Sequence, residues 1–207
     1  MLKKAALLAM LMGGPAAATQ EYTLPTLFDV AGVAADDVLN IRQTPSASAP
    51  IVATLAPNAT HVEVVGLDRS GQWGQVNTGE QSGWVSMRFL NYRTDVWQPA
   101  RLPDGFACFG TEPFWSFRQD GDAIMWDEPD RRTGIKITDV LDSGIFRDPR
   151  RIIRAEDDHN LLVATVTPKQ CSDGMSERSY GLEATVLLQR RNTPARMYTG
   201  CCSIGPR

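Results

Sequence analysis

Four cysteines, two histidines and a short acidic, hydroxyl-bearing segment are the residues here whose types and spacing could do chemistry. Cys201 and Cys202 are neighbours in an extended segment, where successive side chains point to opposite sides. They therefore cannot share a partner. A bond between the two would close a strained small ring, so each is expected to pair with one of Cys108 and Cys171, in either order. Cysteines that are all paired leave no thiolate to attack a substrate. Their chemistry is crosslinking, with one terminal strand tied to two distant places.

The other candidate groupings are weaker. His61 and His159 lie in different halves and no Cys-x-x-Cys is present. Asp120, Asp122, Asp127, Glu128 and Asp130 gather carboxylates without a twelve-residue calcium loop and its closing glutamate, so neither a metal nor another cofactor is expected. Ser176 has Asp173 close by, but there is no Gly-x-Ser-x-Gly elbow, and a triad would have to recruit His159 from another strand. Glu112, beside Phe114 and Trp115, could be held protonated as an acid. The preferred reading makes it a hydrogen-bond acceptor in a turn set by Pro113. Two basic clusters, Arg131-Arg132 and Arg147 with Arg150-Arg151, could meet an anionic glycan or a phospholipid headgroup. Solvated charges balanced by Asp127, Asp130 and Asp148 are the preferred alternative. No catalytic motif emerges, and the chain is not expected to be an enzyme.

The chain opens with Lys3 and Lys4, an apolar run over 5–12 and small residues at Ala16 and Ala18. This reads as a secretory signal peptide over 1–18, cleaved after Ala18. The run is too short to span a bilayer and no later stretch is long enough, so no transmembrane segment is expected in the mature chain. Export to the periplasm or beyond agrees with paired cysteines. Net charge is −3, or −5 without the two lysines. Residues 19–100 carry eight acidic and four basic side chains, and residues 101–207 sixteen and fifteen. Neither half is basic enough for a general nucleic-acid surface.

Apolar clusters at 38–42, 51–55, 61–67, 72–77 and 83–86 are separated by Gly, Pro, Asn and Asp, the pattern of short strands joined by turns. Residues 20–27 read as a loosely docked leader, and only 29–35 could form a helical turn, weakened by Gly32. Residues 93–104, with Pro99 and Pro103, read as a semi-rigid linker, with Trp97 packed on a flanking domain. Trp73 and Trp84 combine a large apolar body with a polar N–H and suit a core edge or a ligand groove. Arg42 could receive a carboxylate.

Leu39-Asn40-Ile41-Arg42 followed by Pro45, Trp73 with Val76, Gly83-Trp84-Val85 and Phe89-Leu90 resemble the bacterial SH3-like (SH3b) family over about residues 23–92. The resemblance implies a small five- to six-stranded barrel, typically a non-catalytic module that holds a protein on peptidoglycan or another partner. This chain has Gln43-Thr44 where the family usually carries a glycine.

In the second half, 115–119 and 123–126 flank Asp120-Gly121-Asp122, a hairpin signal. Runs at 135–138, 151–155, 161–166, 182–189 and 197–202 bring the total to seven or eight strands. The expected fold is therefore all-β: an SH3-like domain over 19–92, then a disulfide-stapled antiparallel barrel or sandwich over 105–207. Glu112-Pro113-Phe114-Trp115, Cys171-Ser172-Asp173-Gly174-Met175-Ser176 and Gly200-Cys201 resemble a family of bacterial secreted and lipoprotein β-domains without an established activity. That resemblance implies a Cys171–Cys201 pair, which leaves Cys108–Cys202 as the second.

These readings converge on a secreted or periplasmic non-enzymatic protein that binds cell wall or an envelope protein. Arg42, Trp73, Trp84, Glu112, Trp115, Asp173 and Ser176 are its candidate contacts. An envelope hydrolase using Glu112, Asp173 or Ser176, or a small-ligand carrier with a hollow second barrel, are the alternatives. Nothing in the residues specifies an oligomeric state.

Overall fold

The computed structural model describes residues 22–205, so the expected signal peptide and its cleavage point lie outside the described residues. The described residues are all-β apart from one short 3-10 turn, Met87–Phe89. Its first part forms two small sheets. One has the order β4–β1–β8, with β1 Thr26–Val30, β4 Val62–Val64 and β8 Leu90–Tyr92. The other runs β3–β2–β7–β6–β5, from β2 Leu39–Arg42, β3 Ile51–Leu55, β5 Gly66–Leu67, β6 Trp73–Thr78 and β7 Gln81–Ser86. Alternation sends Leu39, Ile41, Val62, Val64, Val76 and Val85 inward, where they meet Phe28, Val30 and Leu90 in one core.

Eight further strands follow: β9 Ala107–Thr111, β10 Phe114–Asp120, β11 Ala123–Glu128, β12 Arg131–Leu141, β13 Arg151–Glu156, β14 Asn160–Cys171, β15 Tyr180–Arg190 and β16 Arg196–Ser203. Each pairs antiparallel with the next and β16 pairs back onto β9, closing an up-and-down barrel. Closure removes the exposed edges an open sheet would present. The alternative of a sandwich is thereby settled. β14 runs on through Pro168, beyond the apolar run that marks it in the sequence. A register shift between Pro168 and Cys171 lets the ladder accept a residue without an N–H.

Side chains fill the barrel. Trp115 and Trp126 stack at 5.0 Å with Phe117 beside them and Tyr198 edge-on. Small residues share this core: Ala164 on β14 and Ala184 on β15 lie four strands round from β10 and β11. Gly110 and Gly200 flank Trp115, and a Cβ on Gly110 would lie 2.2 Å from its indole Nε1. Both disulfides use β16. Cys202 bonds Cys108 directly across the β9–β16 seam, while Cys201, on the opposite face, bonds Cys171.

Two expectations change. The presumed loose leader, 20–27, runs into β1, the central strand of its sheet, and Leu27 is buried in the barrel-side cluster. No helical turn forms over 29–35, because Asp29 and Val30 complete β1 through pairing with Asn91 and Leu90. The linker is docked through Trp97, as the packing expected of that residue requires. Trp97 is buried and donates from Nε1 to the Pro25 carbonyl at 2.8 Å.

Arg151, expected to be solvated, is only 3 % exposed. It points into the barrel end and donates to the carbonyls of Gln98, Arg101, Asp148 and Arg150. Its guanidinium also lies 5.1 Å from the Trp97 ring. Burial lowers its pKa from the usual arginine value, opposed by the charges of Asp142 and Asp148.

Candidate functional site

Period-two alternation divides β6 and β7 into two faces. Gly74, Val76, Gly83 and Val85 turn inward; Trp73, Gln75, Asn77, Ser82 and Trp84 turn outward and are partly exposed. Gln75 is opposite Trp84 and Trp73 is opposite Ser86, which makes the two tryptophans diagonal neighbours on one face. Arg42 stands opposite Trp84 on the other side. Gly83 allows this close approach, since a Cβ there would lie 2.5 Å from the Ile41 side chain.

Arg42 donates from Nη1 to the Ala49 carbonyl at 2.7 Å, which holds its guanidinium beside the β2–β3 loop. The Trp73 backbone N–H donates to Asp68 Oδ1 at 2.8 Å. The Asp68 carboxylate stays below its usual pKa, chiefly through the Ser70 hydroxyl and then, against a smaller desolvation effect, the Trp73, Ser70 and Gln72 amides. Arg42, Trp73 and Trp84 thus form a strip with a cationic end and two aromatic plates.

The rest of that face is already occupied. Residues 172–179, between β14 and β15, form a strap reaching across from the barrel. Ser82 N–H donates to the Glu177 carbonyl at 3.1 Å and Glu177 N–H to Glu80 O at 2.9 Å. The Asn77 amide donates to Ser179 O at 2.8 Å and accepts from Ser179 N–H at 3.1 Å. Arg178 donates to Gly79 O at 2.5 Å and forms an ion pair with Glu80 at 3.1 Å.

Asp173 and Ser176 shape the strap. The Asp173 carboxylate accepts from the Met175 and Ser176 amides at 3.0 and 2.9 Å. It also accepts from the Ser176 hydroxyl at 2.9 Å and the Tyr180 hydroxyl at 3.3 Å. Desolvation alone would raise its pKa, but these bonds outweigh it and hold the carboxyl below the usual aspartate range.

Asp173 and Ser176 are therefore brought together as a turn. His159 lies beyond the other end of the twelve-residue β14, about 35 Å away at the rise of an extended strand, so the triad does not assemble. Glu112 is exposed at the β9–β10 turn and makes no hydrogen bond among the described residues, contrary to the turn-acceptor expectation. Trp115, its near neighbour in sequence, is inside the barrel and faces the core. Among the described residues no cluster of three or more His, Cys, Asp or Glu could hold a metal ion.

Between the two parts lies a cleft of about 640 Å³, lined by His61, Glu63, Asn77, Phe109, Arg178 and Tyr180 among others. Phe109 and Tyr180 pack edge to face at 5.0 Å. Desolvation raises the Tyr180 phenol above its usual pKa. Glu63 closes one side by accepting from Ser203 Oγ at 2.5 Å, Ile204 N–H at 3.2 Å and Gly205 N–H at 3.0 Å. Sequence reasoning missed Glu63, Arg178 and Tyr180. The only signal was the position of Arg178 and Tyr180 just past a cysteine-anchored turn.

The family model of the bacterial SH3 domain matches residues 37–91. This segment begins just before β2 and ends within β8, and it contains the whole five-stranded sheet with Arg42, Trp73 and Trp84. No curated protein and no solved structure matches the chain.

Proposed function

From the bacterial SH3 domain at residues 37–91, we propose that this chain is a non-catalytic envelope protein that binds peptidoglycan or an envelope protein through the Arg42–Trp84–Trp73 strip. The observation that carries this reading is the division of one sheet face. The strap takes Gln75, Asn77 and Ser82, while the cation and both indoles remain partly exposed beside it. Indoles suit the faces of sugars and peptide groups, and an arginine fork suits a carboxylate. The second barrel acts as a scaffold. Its filled interior favours that role over a carrier, and the separation of Ser176 from His159 favours it over a triad hydrolase. Four paired cysteines support an oxidising compartment such as the periplasm.

Co-sedimentation of the full chain with purified peptidoglycan tests the reading. The full chain is needed because Leu27 and Trp97 join the two parts. Binding is expected to the wall fraction and to fall about tenfold or more in Trp73→Ala, with an unchanged melting temperature as the check on folding. If the parent protein stays wholly in the supernatant, wall anchoring is abandoned. If the variant sediments as well as the parent, the strip is not the contact.

A further inference from the structure

Four exposed large apolar side chains gather at one end of the barrel: Leu141 (52 %), Ile145 (66 %), Phe146 (80 %) and Ile152 (43 %). Leu141 and Ile152 are opposed in the β12–β13 register, and Ile145-Phe146 belongs to the loop joining those strands. That loop is extensively braced. Asp142 accepts from the Gly144 and Ala100 amides, each at 2.8 Å. The buried Asp148 carboxylate accepts from the Ser143 hydroxyl and from Arg150 Nη1 at 3.0 Å. Asp148 N–H closes the turn on Ile145 O at 3.2 Å.

Arg147 is the second independent feature. Its φ of 57° is in the left-handed region, uncommon for a residue with a side chain. The guanidinium lies 4.4 Å from the Phe146 ring and 5.3 Å from Tyr92. Its Nε is buried without a hydrogen-bond partner, and it has no carboxylate partner among the described residues. Bracing that holds a phenylalanine in water beside a cation lacking a counter-charge gives the fold no core burial. It suits a surface that is apolar inside and anionic at its face.

We propose that this loop docks the protein on an anionic phospholipid bilayer. Ile145 and Phe146 enter the interface, while Arg147 and Arg150 meet headgroup phosphates. Aromatic rings and arginines are favoured together at that depth, where the ring is half apolar and the guanidinium remains at the polar level. The size of the patch favours lipid over protein. Two side chains on the loop and two on the strand ends beside it fall short of the roughly 800 Å² a side that a stable protein interface uses, whereas an interfacial anchor needs only a few inserted groups.

The test uses the full chain and a reporter confined to the loop, because the apolar run at 5–12 can itself partition into lipid. Phe146→Trp is mixed with vesicles of phosphatidylcholine, with or without phosphatidylglycerol, bearing brominated acyl chains. The difference spectrum against the parent protein reports position 146 alone. Blue-shifted, quenched emission is expected with phosphatidylglycerol vesicles. Arg147→Gln in that background should weaken the response about fivefold, the effect of one basic residue at an anionic surface. Unshifted, unquenched emission while the chain floats with vesicles would overturn the proposal. So would equal quenching by pure phosphatidylcholine, or photo-crosslinking of position 146 to a protein rather than to lipid.

Discussion

Replacing Cys171 and Cys201 together by serine should release the strap from the barrel and loosen the SH3 domain before the barrel itself opens. The bond closes a loop with a sequence separation of 30, for which the chain-entropy relation gives at most about 3.7 kcal/mol. A realised loss of about 3 kcal/mol lowers Tm by about 6–12 °C for a chain of this size. The local effect is more diagnostic. Amides of Ser82, Glu177 and Ser179 donate across the domain boundary, and the strap that receives or provides them is pinned at Cys171. Hydrogen exchange followed by mass spectrometry should show these amides losing protection while those in β14 and β15, paired over ten register positions, retain theirs. Calorimetry supplies the global term in parallel. A fall in Tm with strap amides as protected as in the parent would refute the reasoning, because the disulfide would then act only on the unfolded chain.

Arg151→Met keeps much of the side-chain volume but removes the donors to four carbonyls at the barrel end. About 3 kcal/mol of stability should be lost, measured as the shift in urea midpoint, with faster proteolysis in the segment around Trp97 as the linker loosens. Acid should act through Asp173 and Asp148. Desolvation pushes each upward, but hydrogen bonds outweigh it and leave both below the usual aspartate value of 3.8. A depressed folded pKa means that the stabilisation is fully present above pH about 4 and is lost as pH falls through the lower folded values. Urea midpoints between pH 6 and 2 should therefore drop only at the acid end, and less steeply in Asp173→Asn. A flat profile would show that neither carboxylate matters to the fold.

Local pattern made the strand content of this chain legible. Alternation at 38–42, the Asp120-Gly121-Asp122 turn and the adjacent cysteines depend on neighbours a few residues apart, and each survives as β2, the β10–β11 hairpin and a strand bonded on both faces. The motifs carrying Arg42, Trp73 and Trp84 were likewise readable, because their spacing fixes which strand face they share. The tertiary structure alone decided what covers that face. Ser179 is 102 residues from Asn77, and nothing in either segment announces the other. The same holds for Arg151, which follows another arginine and two of whose four carbonyl partners lie about 50 residues earlier. Burial is a property of distant chain brought close, so a charge that reads as solvated becomes the plug of a barrel, and a short N-terminal run becomes the central strand of a sheet.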